Sequence, residues 1–156
     1  MSAPDGPPPP FVPDDFAVPR ELVTDEFRLE PLGPQHNARD YEAWTSSMEH
    51  IRATPGFAGW GWPKPMAPED NLGDLRGHER DFAARTGFTY TALDRDGDRV
   101  VGCVYIYPAD GGEPGTADVH SWVRADRAEL DVPLHDAVSA WLAESWPFTA
   151  VRYAER

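Results

Sequence analysis

The chain has a single cysteine, Cys103, among 156 residues. One thiol can form no internal disulfide, so the fold needs no oxidising compartment. Basic residues are scarce: 14 Lys and Arg face 27 Asp and Glu, for a net charge of -13. Nucleic acids are bound where Lys and Arg cluster and release counterions from phosphate. No such cluster occurs here, and no nucleic-acid partner is expected. The same field repels any anionic ligand unless a local basic site offsets it. No apolar run is long enough to span a bilayer, and no basic-then-apolar leader opens the chain. A cytoplasmic protein without a membrane partner is therefore expected. The five histidines (His36, His50, His78, His120 and His135) show no paired ligand spacing, and no metal is expected. Walker, dinucleotide-binding and Gly-x-Ser-x-Gly motifs are all missing.

What is present suits one globular domain. A chain of this length buries about two thirds of its unfolded surface. The hydrophobic fraction is 40%, with 6 Trp, 7 Phe and 5 Tyr, which is enough for a packed interior. Residues 1–10 (MSAPDGPPPP) read as a flexible proline-rich arm, since consecutive prolines lack amide donors and favour an extended form. Residues 11–26 read as a strap across the domain, punctuated by Pro13 and Pro19. The domain proper spans 27–156.

Within it, Phe27 to Leu32 (FRLEPL) alternates as a first strand, at a sheet edge or ended early by Pro31. Pro34 opens a helix, with Tyr41, Trp44, Met48 and Ile51 as its buried stripe. Phe57 to Pro65 (FAGWGWPKP) is an irregular aromatic loop. Pro68, Glu69 and Asp70 start a second helix, with Leu72, Leu75, Phe82 and Ala83 as its core face and Gly87 as a left-handed cap. Two strands, Phe88 to Asp94 and Arg99 to Pro108, flank Asp96-Gly97, a hairpin signal that calls for positive φ. A third strand covers Thr116 to Val123. A last helix starts near Val132, with Pro133 in its first turn and Leu134, Val138, Trp141 and Leu142 on its apolar face. Phe148 to Tyr153 makes a final strand.

The order is strand, helix, helix, three antiparallel strands, helix, strand. Together with the FRLEPL opening, the Gly in VVGCVYIY and the VHSWVRAD strand, it resembles the GNAT acetyl-CoA-dependent N-acetyltransferase superfamily. The resemblance covers Phe27 to Tyr153. It implies an α/β (α+β) fold with a largely antiparallel mixed sheet flanked by helices, and acetyl-CoA as co-substrate. By the resemblance, Ser121, Trp122 and Val123 offer backbone groups to the cofactor's pantetheine arm. The family's Arg/Gln-x-x-Gly-x-Gly/Ala loop then cradles the pyrophosphate, because unpaired amides at a helix start form an anion site.

The run RADRAELDVPLHDAV (Arg124 to Val138) departs from that pattern. Asp131 and Pro133 stand at the glycine positions, and Ala128 stands where the Arg or Gln is expected. Proline has no N–H to offer, and Asp131 and Glu129 bring negative charge. Each carboxylate near a diphosphate costs about 1 kcal/mol at water-like dielectric and contact distance. Arg124 and Arg127 are the cations that could compensate. Many family members continue past the last strand with a helix and hairpin that often supply a tyrosine acid. No match follows Tyr153, so no general acid is carried over.

Acyl transfer to an amine needs a base, a polarised carbonyl and reactants held close. His120 lies on the strand expected to line the cleft, where a neutral imidazole accepts a proton near pH 7. Asp118 shares its face by the period of two and would orient the imidazole or bind a cationic substrate. Tyr105 and Tyr107 share one strand face with Cys103 and would line an acceptor pocket. Trp60 and Trp62 would form a lid. The plainer readings stay open: a hydrogen-bonded strand histidine, a solvated Asp118, tyrosines packed on the sheet, and tryptophans that plug the sheet end.

Two functions compete. One is an N-acetyltransferase acting on a small amine, with the acidic surface suiting a cationic acceptor. The other is a GNAT-like fold that has lost catalysis and serves as a binding or assembly module without acetyl-CoA. A homodimer would then cover the sheet side left bare by the missing segment. A ligand-binding α+β domain of another family is a third reading.

Overall fold

The computed structural model describes residues 9–156, so Met1 to Pro8 of the expected arm lie outside the described residues. Six strands form one sheet in the order β1 to β6. They are β1 (Leu22–Val23), β2 (Phe27–Pro31), β3 (Phe88–Asp94), β4 (Val100–Pro108), β5 (Thr116–Val123) and β6 (Ala150–Tyr153). All neighbours are antiparallel except β5 and β6, which run parallel. Among the described residues there are four α-helices: α1 (Asn37–Thr45), α2 (Met48–Ala53), α3 (Pro68–Ala84) and α4 (Asp131–Ser145).

Each face of the sheet carries its own apolar core. On one face, Phe88, Tyr90, Val104, Ile106 and Val119 meet Leu134, Val138, Trp141 and Leu142 of α4. Phe11, Val12, Phe16 and Val18 close that side, and the Tyr90 hydroxyl donates to the Pro19 carbonyl at 2.6 Å. On the other face, Cys103, Tyr105 and Trp122 pack against Trp44, Ile51 and Leu75 of the helices. Burying Leu or Trp side chains of this size contributes roughly 1.5–3 kcal/mol apiece, which is why apolar periodicity located most elements.

Several boundaries differ from the sequence expectation. The first strand is not at the edge, because Leu22–Val23 pair with it as β1, but it does end at Pro31. The first helix is interrupted: a 3-10 turn at Pro34–His36 precedes α1, and α2 begins afresh at Met48. Ser46 and Ser47 mark the break, where the Ser47 hydroxyl accepts the Ala125 amide instead of continuing a helix. Ala83 is exposed rather than part of a core face. Arg85, not Gly87, takes the left-handed conformation after α3, with φ 63. Gly87 is small for another reason, since an added Cβ would collide with the Tyr107 ring. The β3–β4 hairpin forms, but Gly97 is not among the glycines with positive φ. The longer Arg95–Arg99 connection, closed by the Asp94 amide donating to the Arg99 carbonyl, removes that need. The final strand starts at Ala150 rather than Phe148.

Candidate functional site

Beyond their first four paired residues, β5 and β6 part. Thr116 to Val119 pair with Ala150 to Tyr153, while Gly102 to Pro108 of β4 pair along β5 as far as Val123. A groove therefore opens alongside Ser121 and points at the start of α4. Next to it, on the helical face of the sheet, lies a cavity of about 550 Å³.

The floor of the cavity is β4 and β5. Alternation along β4 turns Tyr105 and Tyr107 to the helical face, and alternation along β5 does the same for Asp118 and His120. One wall is helical and contributes Asp40 from α1 and Asp74 and His78 from α3. Trp60 and Trp62 form the rim. Glycines 59 and 61 alternate with them at φ 75 and 80, a backbone that side chains on L-residues resist, and the chain can thus fold both indoles toward the cavity.

The sequence candidates His120, Asp118, Trp60, Trp62, Tyr105 and Tyr107 come together here. The His120 ring stacks on Trp60 with centroids 4.6 Å apart, and its Nδ1 lies 4.0 Å from Asp118. Burial pushes the His120 imidazole below its usual range, against the pull of Asp118, so it is neutral at pH 7. Burial does the same to His78. Tyr107 donates its hydroxyl to Asp81 at 2.9 Å, and burial raises its phenol, so it stays protonated. Tyr105 accepts the Trp122 indole N–H at 2.9 Å, and burial likewise keeps it protonated.

Sequence reasoning missed Asp40, Asp74 and His78, because acids and a histidine on polar helix faces give no periodic signal, and Asp110, because it lies in the irregular loop after β4. Asp40 is only 4% exposed. Its Oδ2 accepts from Asn71 at 3.1 Å, while Asn71 also accepts the Trp44 indole N–H. Burial pushes the Asp40 carboxyl up to about 6, with Asp74 adding to the rise.

The expected cofactor residues are placed differently. Trp122 and Val123 are buried in opposite cores. Arg124 is pinned by Glu42 at 2.6 Å and Asp126 at 2.8 Å, and also donates to the Val100 carbonyl. Arg127 pairs with Asp94 at 2.6 Å and Glu129 at 3.0 Å. Neither cation is free to meet a diphosphate. Ser121 is fully buried, and its hydroxyl bonds that of Tyr153 and accepts from the Arg156 guanidinium.

Arg156 was not anticipated. Its guanidinium occupies the groove, donating to the Ser121 carbonyl at 2.9 Å and to Asp131 at the α4 start at 2.7 Å. It also donates to the carbonyls of Pro55 and Ala154. Its side chain is 4% exposed. Asp131 opens α4 and Pro133 follows in its first turn, so a carboxylate already occupies the helix start and one amide is lost. These residues do not fit the pyrophosphate or the pantetheine arm of coenzyme A.

No protein-family model matches the sequence, and no curated protein matches it. Solved structures do share the fold. A ribosomal-protein-S5-alanine acetyltransferase from Vibrio fischeri superposes with a TM-score of 0.61 at 12% identity, covering 78% of this chain and 66% of that one. An acetyltransferase from Salmonella typhimurium that modifies the N-terminal serine of ribosomal protein L7/L12 gives 0.60 at 10% identity, covering 78% and 64%. The microcin C7 self-immunity acetyltransferase MccE, in complex with acetyl-CoA and AMP, gives 0.60 at 14% identity, covering 81% and 67%. This chain spans about two thirds of the length of these proteins.

The fold is thus that of the GNAT acetyltransferases. Among the described residues no helix is long and apolar enough to cross a membrane.

Proposed function

We propose that this protein is a GNAT-fold domain that binds a small organic cation in the β4–β5 cavity and does not use acetyl-CoA. The lining of the cavity carries this reading. Four carboxylates (Asp40, Asp74, Asp110 and Asp118) line it together with aromatic rings, and no Lys or Arg does. Both lining histidines are held toward neutrality, so the cavity's fixed charge is negative. A cation gains from carboxylates and from aromatic faces at once, and both gains grow as water leaves.

Acyl transfer from acetyl-CoA to an amine is the second reading. It is favoured by His120, a neutral base in a cavity beside the groove, with Asp118 near its other ring nitrogen. In that reading His120 takes the proton of the acceptor amine, Asp118 steadies the imidazolium, and Trp60 and Trp62 exclude water. Against it stand Arg156 in the groove and Asp131 and Pro133 at the helix start.

Thermal melting in the presence of hexylammonium, hexanoate and acetyl-CoA separates the readings. A ligand that binds only the folded state at a hundredfold excess over its dissociation constant stabilises it by about 2.7 kcal/mol. The proposal expects hexylammonium alone to raise the melting temperature. A rise with millimolar acetyl-CoA, followed by turnover of an amine, would establish the second reading instead.

A further inference from the structure

The four carboxylates of the cavity come from two of its walls. Asp40 and Asp74 belong to α1 and α3 on the helical wall. Asp118 lies on β5 and Asp110 in the loop after β4, on the sheet side. Aromatic side chains, Trp60, Trp62 and Tyr105, occupy the lining as well.

The two acidic walls differ in character. Asp40 is buried, its Oδ2 takes one amide hydrogen from Asn71, and its Oδ1 has no hydrogen-bond partner among the described residues. Facing it are Asn71 and Asp74 of α3 and the protonated Cys103 and Tyr105 of β4, so no positive group offsets its charge. Several carboxylates elsewhere do find arginines: Glu42, Asp94, Asp98, Asp126 and Asp131 do so at 3.0 Å or less. A buried carboxylate left without a cation is costly unless a ligand supplies one. On the sheet wall, Asp118 is partly exposed and keeps company with His120.

We propose that the cavity is built for an organic dication, an aliphatic diamine, with one ammonium on Asp40 and Asp74 and the other on Asp118 beside His120. Its methylene chain crosses the aromatic middle, where apolar contact and ring faces suit a chain with charged ends. A monoamine satisfies one end only. This inference rests on the cavity being a cation site, and it adds the number and placement of the charges.

Calorimetric titration at pH 7.5 with butylamine, hexylamine, diaminobutane and diaminohexane tests it. At least one diamine is expected to bind about tenfold more tightly than the monoamine of equal length, the worth of roughly one further ion pair of about 1.4 kcal/mol. Asp40→Asn, which keeps an acceptor for Asn71, weakens both kinds of ligand. Asp118→Asn costs the diamine more than the monoamine and removes most of the diamine's advantage. Equal affinity of diamines and monoamines, or equal losses for both with Asp118→Asn, overturns the dication while leaving the cation site standing. If no amine binds at millimolar concentration, the cation site itself falls, and the dication with it.

Discussion

The guanidinium of Arg156 donates to the carboxylate of Asp131 at 2.7 Å across the mouth of the β5–β6 groove. In the proposed reading this pair stands where coenzyme A would otherwise lie. Arg156 takes the Ser121 carbonyl, and Asp131 places a carboxylate in the first turn of α4.

Breaking such a pair leaves one charge poorly compensated. Arg156→Ala is expected to lower unfolding free energy by about 2–4 kcal/mol, less than a wholly buried pair because Asp131 is partly exposed. Adding Asp131→Asn to Arg156→Ala recovers part of the loss. Urea denaturation of the two single variants and the double variant measures the coupling. Strictly additive effects would show that the two residues do not act as a pair.

Asp40 makes stability depend on pH in an unusual direction for a carboxylate. Its folded-state value is raised to about 6 from 3.8, so the folded chain holds its proton where the unfolded chain has lost it. Its contribution is therefore full below about 4 and is lost as pH rises through about 6. Asp40→Asn should be more stable than the parent at pH 8, by up to about 3 kcal/mol, and should lose that advantage toward pH 4. Melting curves of both proteins across this range give the difference directly. A parent that is the more stable at pH 8 would show that a cation already compensates Asp40.

His120 is expected to titrate below the usual 6.5, since burial against Trp60 outweighs the attraction of Asp118. Trp60→Ala opens the ring to water and should move its midpoint up. Asp118→Asn removes the opposing pull and should move it further down. Proton-detected titration of the imidazole in the three proteins tests both signs, and an unchanged midpoint in either variant would remove the cause assigned to that neighbour.

Cys103 is fully buried, and burial raises its thiol well above the usual range. It should react with a thiol reagent only as fast as the protein unfolds. Comparison of the labelling rate with the unfolding rate in urea decides this, and prompt labelling of the native protein would contradict the placement of β4.

Apolar periodicity made the fold legible. Trp44, Ile51, Val138 and Leu142 recur at helical spacing, and Tyr105 and Tyr107 share a strand face, because each apolar side chain had one interior to reach. The break at Ser46 and Ser47 was not legible, since it depends on the Ala125 amide, 78 residues away in sequence. Half of the cavity was legible on the same strand logic, through Asp118, His120 and the two tyrosines. Asp40 and Asp74 were not, because a carboxylate on a helix looks alike whether it faces solvent or a cavity. Arg124 and Arg127 stood close in sequence to the expected anion site, but Glu42 and Asp94, distant in sequence, hold them elsewhere.

The most direct measurement is a set of nitrogen–proton correlation spectra of the labelled protein, recorded with diaminohexane and, separately, with acetyl-CoA. The account predicts that the diamine shifts the indole signals of Trp60 and Trp62, and that acetyl-CoA leaves the amides of Ser121 to Val132 in place. Shifts of those amides with acetyl-CoA, and unmoved indoles with the diamine, would contradict it.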